Sequence, residues 1–469
     1  ALALIKDAQD KKLISKGGTV VEGTAGNTGI GLGLLGNSLG YKTIIVMNDN
    51  QTQEKKDILK ICQKAKAASR QVSLLDSKLK NEILKDASKN LLKNMDVIIE
   101  ENKKDVQSNK SKLTPSTLDR LILDKKRIIS MCEGLVEISK LSDPVGIIMK
   151  KWSRPNGLKI QKVTIPLGVL GVIYESRPNV SADAAALSLK SGNTLILRGG
   201  SESFNSSLKI TELINQTYKR FNLPEGALQY IPTKDRSAVG HLLKMDDYVD
   251  VLIPRGGRSL IERVLKDSKI HVIRHLDGIC HTYIHKSAQR KIASEVTVNA
   301  KMRRPGICGA TETILIDKDI LQSHLPQIIS SLEKYGCLIK GDKDVLKISD
   351  SVKKALEKDW STEYLDKIVS IKTINRGVEE AVEHINKYGS GHTDAILAEN
   401  NRVVSYFLDN VDSGIVMHNT STQFADGGEF GMGAEIGIST SKVHARGPVG
   451  VAQLTSFKYK VSGTGQIRP

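Results

Sequence analysis

Cys308 stands in the segment Arg303-Arg304-Pro305-Gly306-Ile307-Cys308-Gly309-Ala310-Thr311-Glu312. Two cations precede the thiol by five and four positions, and a Pro-Gly turn just upstream exposes backbone amides. Positive charge and unpaired amide dipoles favour the thiolate, the species that attacks a carbonyl carbon. Glycines beside a nucleophile also let main-chain N–H groups approach a developing oxyanion. This is the chemistry of acyl transfer onto sulfur, with Cys308 as nucleophile. Taken alone, the same pattern also suits a buried structural cysteine.

Such a thiol needs a scaffold, and the flanking sequence supplies an α/β one. Residues 61–140 are mostly amphipathic helix, rich in Lys, Leu and Ile. Residues 158–165 alternate apolar and polar positions as a half-buried strand does, within a hairpin expected near 155–166. Val169–Tyr174 is a continuous apolar run suited to a buried parallel strand. Further strands are expected at Thr194–Leu197, Val249–Ile253 and Thr313–Ile316, alternating with helices. Their Gly-rich ends are the usual place for ligands in such sheets.

The amino-terminal 60 residues read as helix, strand, glycine-rich loop, helix and strand, with strands at Thr19–Glu22 and Thr43–Met47. Gly31, Gly33 and Gly36 form a G-x-G-x-x-G, but they fall on the helix after the turn and no acidic residue closes the next strand. Small residues packing a helix onto a sheet explain them better.

Composition narrows the function classes. A chain of 469 residues with 39% hydrophobic and 26% charged residues is a soluble protein of two or three domains. The five scattered cysteines (Cys62, Cys132, Cys280, Cys308, Cys337) contain no Cys-x-x-Cys pair, which favours a reducing, cytoplasmic setting over disulfides or structural zinc. His275, Asp277, Cys280 and His281 fit no zinc spacing, so no metal is expected. The net charge of +17 comes from lysines dispersed among acids, with only 4% aromatics. That argues for solvated faces and a field attracting anionic ligands, not nucleic-acid binding. No apolar run is long enough for a membrane span.

Two resemblances follow. The loop Gly23-Thr24-Ala25-Gly26-Asn27-Thr28-Gly29 and the run Gln51–Lys56 resemble the cysteine-synthase family of pyridoxal-phosphate enzymes. The chain begins after the place of that family's cofactor lysine and leaves its pattern near Lys60. Residues 1–60 are therefore expected to be a truncated, catalytically inactive segment. From about residue 61 to 469, seven segments in order resemble γ-glutamyl phosphate reductase, a branch of the aldehyde dehydrogenase superfamily. They are Tyr174–Asn179, Leu195–Glu202, Pro254–Arg258, His275–Gly278, the Cys308 loop, Gly389–Asp394 and Asp426–Gly431.

This second resemblance implies an aldehyde-dehydrogenase-like fold: a Rossmann-type cofactor domain (61–275), a catalytic domain (276–445) and a carboxy-terminal oligomerisation segment (446–469) of a homo-oligomer. It implies NADPH-dependent reduction of L-glutamate 5-phosphate to glutamate 5-semialdehyde in proline biosynthesis, through a thioester on Cys308. Asn179 and the Cys308 amide would serve the oxyanion, though Asn179 also suits a plain turn after Pro178. Arg198, Gly199, Gly200 and Ser201 would meet the adenosine ribose, with Arg198 selecting the 2′-phosphate of NADPH. Gly256 and Gly257 would lie at the pyrophosphate and Glu363 at the nicotinamide ribose. Arg303, Arg304, Ser421 and Thr422 would bind substrate. His275 takes the place of the glutamate base of hydrolytic relatives, and lacking that base suits a phosphate-linked enzyme. Gly309, Arg303 and Gln423 depart from the commoner Asn, Gln and Arg. They leave open a related dehydrogenase of different specificity, and the added segment leaves open an inactive fusion.

Overall fold

The computed structural model describes residues 2–11, 13–15, 18–23, 41–46, 53–274 and 276–468. Residues 1–60 and 61–469 form two compact units. In the first, α1 (Leu2–Asp10) is followed by β1 (Thr19–Gly23) and β2 (Lys42–Val46), which pair in parallel; α2 (Gln53–Val72) then runs across the division at residue 60. Ile5 and Tyr41 make its small core. Residues 24–29, the glycines at 31, 33 and 36, and His275 lie outside the described residues, so the expectations placed on them have no structural counterpart here.

The second unit opens with four helices: α3 (Ser77–Lys93), α4 (Met95–Asn109), α5 (Pro115–Leu121) and α6 (Lys125–Lys140). Their starts follow from local chemistry. Asp76 and Asp124 accept the amides of Leu79 and Arg127, and Pro115 occupies the first turn of α5.

Strands β3 (Ile148–Ser153) and β4 (Lys159–Pro166) form an antiparallel hairpin, whose first strand lies ahead of the 155–166 range read from the sequence. Next come β5 (Val169–Tyr174), α7 (Val180–Lys190), β6 (Thr194–Gly199), α8 (Phe204–Arg220), β7 (Leu228–Tyr230), α9 (Ser237–Leu242), β8 (Val251–Arg255), α10 (Arg258–Asp267) and β9 (His271–Val272). These five later strands make a parallel sheet of order β7-β6-β5-β8-β9. Every residue of β5 and β6 is buried, as strands covered by helices on both faces must be. The strand order reverses between β5 and β8, which opens a crevice beyond their carboxyl ends.

A second parallel sheet follows, built from β10 (Cys280–Ile284), β11 (Thr311–Asp317), β12 (Leu338–Gly341), β13 (Lys353–Lys354), β14 (Ile368–Ile374), β15 (Thr393–Leu397) and β16 (Ile415–His418). Its order is β13-β12-β14-β11-β10-β15-β16. Helix α11 (Arg290–Met302) leads directly into the Cys308 loop, which ends where β11 begins.

After the short antiparallel pair β17 (Ile438–Ser439) and β18 (Gly447–Pro448), β19 (Thr455–Ser462) pairs with β4 along all eight residues. The hairpin thus joins the carboxy-terminal strand in a separate three-stranded antiparallel sheet. Ile148, Met149, Phe457, Tyr459 and Val461 of this sheet are exposed.

Candidate active site

The two parallel sheets meet at a cleft of about 900 Å³. From the carboxyl ends of β5 and β8 come Glu175, Ser176 and Arg177, and Arg255, Gly256, Gly257 and Arg258. From loops that enter the second sheet at its amino ends come Asp277, Arg303, Arg304, Cys308, Gly309 and Glu363. Arg120 of α5 also faces the space.

Cys308 is half-buried, whereas Cys62, Cys132, Cys280 and Cys337 are buried. Its loop is pinned from several sides. The Arg120 guanidinium donates to the Gly306 carbonyl at 2.8 Å and the Cys280 thiol to the Cys308 carbonyl at 3.1 Å. Burial pushes the Cys280 thiol well above its ordinary range, so it stays a neutral donor. Gly278 must be glycine, because a β-carbon there would lie 2.6 Å from the Cys308 Cα and Cβ. At the loop ends, Lys301 donates to Glu312 at 2.5 Å with both side chains fully buried. Burial, opposed by Lys301, raises the Glu312 carboxyl to about 7.

The cations around the thiol are the dominant electrostatic feature. Burial, followed by the like charges of Arg255 and Arg120, lowers the Arg177 guanidinium to about 10; Cys308 opposes that shift and Arg304 adds to it. Four neighbours therefore act on Arg177, and three of them are guanidinium ions. Carboxylates such as Glu175 and Glu435 also line the cleft, but none is in ion-pair contact with these four arginines among the described residues, which leaves their donors available to an anion with several oxygens. Arg177 is aimed by its neighbours. Ser176 takes a left-handed φ of 46°, and its amide and hydroxyl both donate to Glu202 at 2.7 and 2.9 Å. Such backbone conformations persist only where surrounding contacts hold them.

Gly256 and Gly257 lie where β8 turns into α10, and Glu175 accepts the Gly257 amide at 2.8 Å. A β-carbon on Gly256 would strike that carboxylate at 2.4 Å. The amino end of α10 thus opens on the cleft with Glu175 resting on its first amide, a place where an anionic group can bind helix amides. Glu363 also lines the cleft and accepts the Gly278 amide at 2.9 Å. These residues fit a dinucleotide.

Other expected residues lie apart from the cleft lining. Arg198 is 5% exposed and donates to the carbonyls of Gly199, Lys234 and Asp235, leaving its Nε without a partner. Gly199 packs among Tyr230, Tyr174 and Ser207, and Gly200 packs against Glu202. Ser201 donates to Glu202. Asn179 donates to Asp183 at 3.0 Å. Thr422 is buried and bonds Thr311 at 3.1 Å, while Ser421 lines a second cavity of about 460 Å³ together with Arg303, Gln423 and Glu429. Among the described residues no three His, Cys, Asp or Glu side chains converge as a metal site.

A half-buried cysteine on a loop before a parallel strand, facing a glycine turn across a cleft, agrees with what sequence comparison finds. Residues 42–345 match the model of the aldehyde dehydrogenase family. The chain belongs to the aldehyde dehydrogenase family. It is 53% identical over 428 residues to the gamma-glutamyl phosphate reductase of Rhodospirillum rubrum, spanning 90% of this chain and all of that one. The solved gamma-glutamyl phosphate reductase of Thermotoga maritima superposes with a TM-score of 0.85 at 40% identity, over 88% of this chain and 100% of the other. An acetylating aldehyde dehydrogenase from Geobacillus thermoglucosidasius shares the fold at 16% identity, with a TM-score of 0.66.

Within this aldehyde dehydrogenase, Arg177 and Arg120 were not singled out from sequence. Arg177 stands inside the segment Tyr174–Asn179, two positions from the chosen Asn179, and its charge was the available signal. Arg120 reaches a loop 186 residues away, and nothing in its surroundings signals that contact.

Proposed function

We propose that this enzyme reduces L-glutamate 5-phosphate to glutamate 5-semialdehyde and phosphate, with NADPH, in the cytoplasmic synthesis of proline. The observation that carries this reading is the half-buried Cys308 beneath the guanidinium cluster of Arg177, Arg255, Arg120 and Arg304. The identity of 51–53% to curated gamma-glutamyl phosphate reductases, over 96–100% of their length, supports it.

The cluster holds the acyl phosphate and neutralises it, which removes the repulsion between phosphate and thiolate. Cys308 adds to the acyl carbon and the Cys308 amide donates to the oxyanion; Asn179, held by Asp183 outside the cleft lining, joins it by turning its amide toward the substrate. Phosphate then leaves into the arginines and a thioester remains on Cys308. When bound, a reduced nicotinamide would supply the hydride that takes the thioester to aldehyde, with Cys308 released as thiolate. Gly256, Gly257 and the amino end of α10 hold the pyrophosphate, and Glu363 the nicotinamide ribose. Arg198 acts on the adenosine end by fixing the 234–236 loop, whose Lys234 and Arg236 are exposed cations. Ser201, Gly199 and Gly200 shape the same end. The exposed apolar side chains of the β3-β4-β19 sheet are the surface on which copies of the chain assemble.

The test is NADP⁺ reduction with glutamate semialdehyde and inorganic phosphate. Phosphate-dependent turnover supports the proposal. Turnover that occurs equally without phosphate would contradict it.

A further inference from the structure

The smaller cavity shares three residues with the main cleft: Arg303, Gln423 and Glu429. One of them has an unmet need. Gln423 is 5% exposed, and its Nε2 donates to the carbonyls of Ala300 at 2.9 Å and Arg304 at 3.4 Å. Those two acceptors fix the amide orientation, because the flipped form would set an oxygen against two carbonyl oxygens. The Oε1 atom is then a buried acceptor with no donor among the described residues. Leaving such an acceptor unpaired is unfavourable, and a ligand donor would relieve it.

The neighbouring groups say which donor. Glu429 is exposed and forms no ion pair among the described residues, and the Arg303 side chain likewise bonds none of them. One carboxylate, one guanidinium and one amide oxygen, all free, make a receptor for a group carrying both an ammonium and a carboxylate. The spacing to the nucleophile is short. A β-carbon on Gly309, the residue after Cys308, would lie 4.0 Å from the Gln423 Cα. A substrate whose acyl carbon sits at Cys308 can therefore place its far end, three carbons away, at this wall.

We infer that Arg303, Gln423 and Glu429 form the subsite for the α-amino-acid end of the substrate: Arg303 takes the α-carboxylate, and Gln423 Oε1 with the Glu429 carboxylate takes the α-ammonium. The inference rests on the function proposed above and adds to it the residues that select an amino acid over an acyl chain lacking the amine.

Protection of Cys308 from iodoacetamide tests it without requiring turnover. The alkylated Cys308 peptide is quantified by mass spectrometry in the presence of L-glutamate or of glutarate, which lacks only the amine. L-glutamate should protect the wild-type thiol at about tenfold lower concentration than glutarate, the effect of one charged hydrogen-bonded group. Glu429→Gln and Gln423→Leu should each bring the two ligands much closer together, and Arg303→Met should weaken both. Gln423→Leu also removes two loop bonds, so the exposed Glu429→Gln decides the matter if the former fails to fold. Equal protection by glutarate, or a preference that survives Glu429→Gln, would overturn the inference. Phosphate-dependent turnover in the same preparation reports separately on the proposed function. A silent enzyme that still prefers L-glutamate keeps the subsite and loses the reaction.

Discussion

The two parallel sheets face the same cleft with opposite ends. The five-stranded sheet offers the carboxyl ends of β5 and β8, which carry Arg177, Arg255 and the Gly256-Gly257 turn. The seven-stranded sheet offers its amino ends, where Gly278, Cys308 and Glu363 stand just before β10, β11 and β14. The first arrangement is the general one for ligands on open α/β sheets, because loops and helix amino termini gather there. The second reverses it and puts a nucleophile where loops usually serve stability. Apposing the two lets one sheet supply cations and amide dipoles while the other supplies the reacting atom. Neither end suffices alone.

Removing the reacting atom should have the largest effect. Cys308→Ala should lower turnover by at least about four decades, as loss of a covalent nucleophile does. Affinity for NADPH, read by fluorescence quenching, should stay close to wild type, since the cofactor turn belongs to the other sheet. Removing the facing cation should come second. Arg177→Leu should lower kcat/KM for the acyl phosphate about 10²- to 10³-fold, comparable to loss of one preorganised charge-stabilising donor. An undiminished rate would mean that Arg255, Arg120 and Arg304 carry the anion without it.

Arg198 sharpens the comparison within one sheet. It stands at the carboxyl end of β6, as Arg177 stands just past that of β5, yet three backbone carbonyls hold it and it is absent from the cleft lining. Arg198→Ala should weaken NADPH about tenfold more than NADH by loosening the 234–236 loop, an effect of about one charge-assisted bond. Equal losses for both cofactors in a titration would show that Arg198 serves the fold only.

The smallest effect concerns Asp183 beneath Asn179. Burial raises its carboxyl from about 3.8 to about 6, outweighing the lowering by Asn179 and Arg255. A carboxyl raised on folding contributes stability that is complete below its unfolded value and lost as pH rises through about 6. Urea unfolding of the wild type should therefore lose stability between about pH 4 and 6 relative to Asp183→Asn. Parallel curves for the two proteins would contradict that assignment.

These contrasts show where sequence was informative. Continuous apolar runs such as Val169–Tyr174 reported their strands closely, because a strand buried on both faces has no polar positions to confuse the pattern. Gly278 and Gly256 were legible as motif residues, and the structure supplies the reason: a β-carbon at either would collide with its neighbours. What stayed hidden was direction and pairing. Nothing local in Arg198 says that carbonyls of a distant loop will hold it, while Arg177, two residues from the chosen Asn179, faces the thiol. Likewise, the three-stranded sheet joins β4 to a strand nearly 300 residues later, a register that only the folded chain reveals.

The central claim is that Cys308 becomes acylated by the phosphorylated substrate under the arginine cluster. It is tested most directly by mixing the enzyme with freshly generated L-glutamate 5-phosphate in the absence of reduced cofactor, then digesting at low pH. The account predicts a glutamyl thioester on the Cys308 peptide alone, formed together with one equivalent of phosphate and discharged as semialdehyde when NADPH is added. Stoichiometric phosphate release with an unmodified Cys308, or an acyl group on another residue, would contradict it.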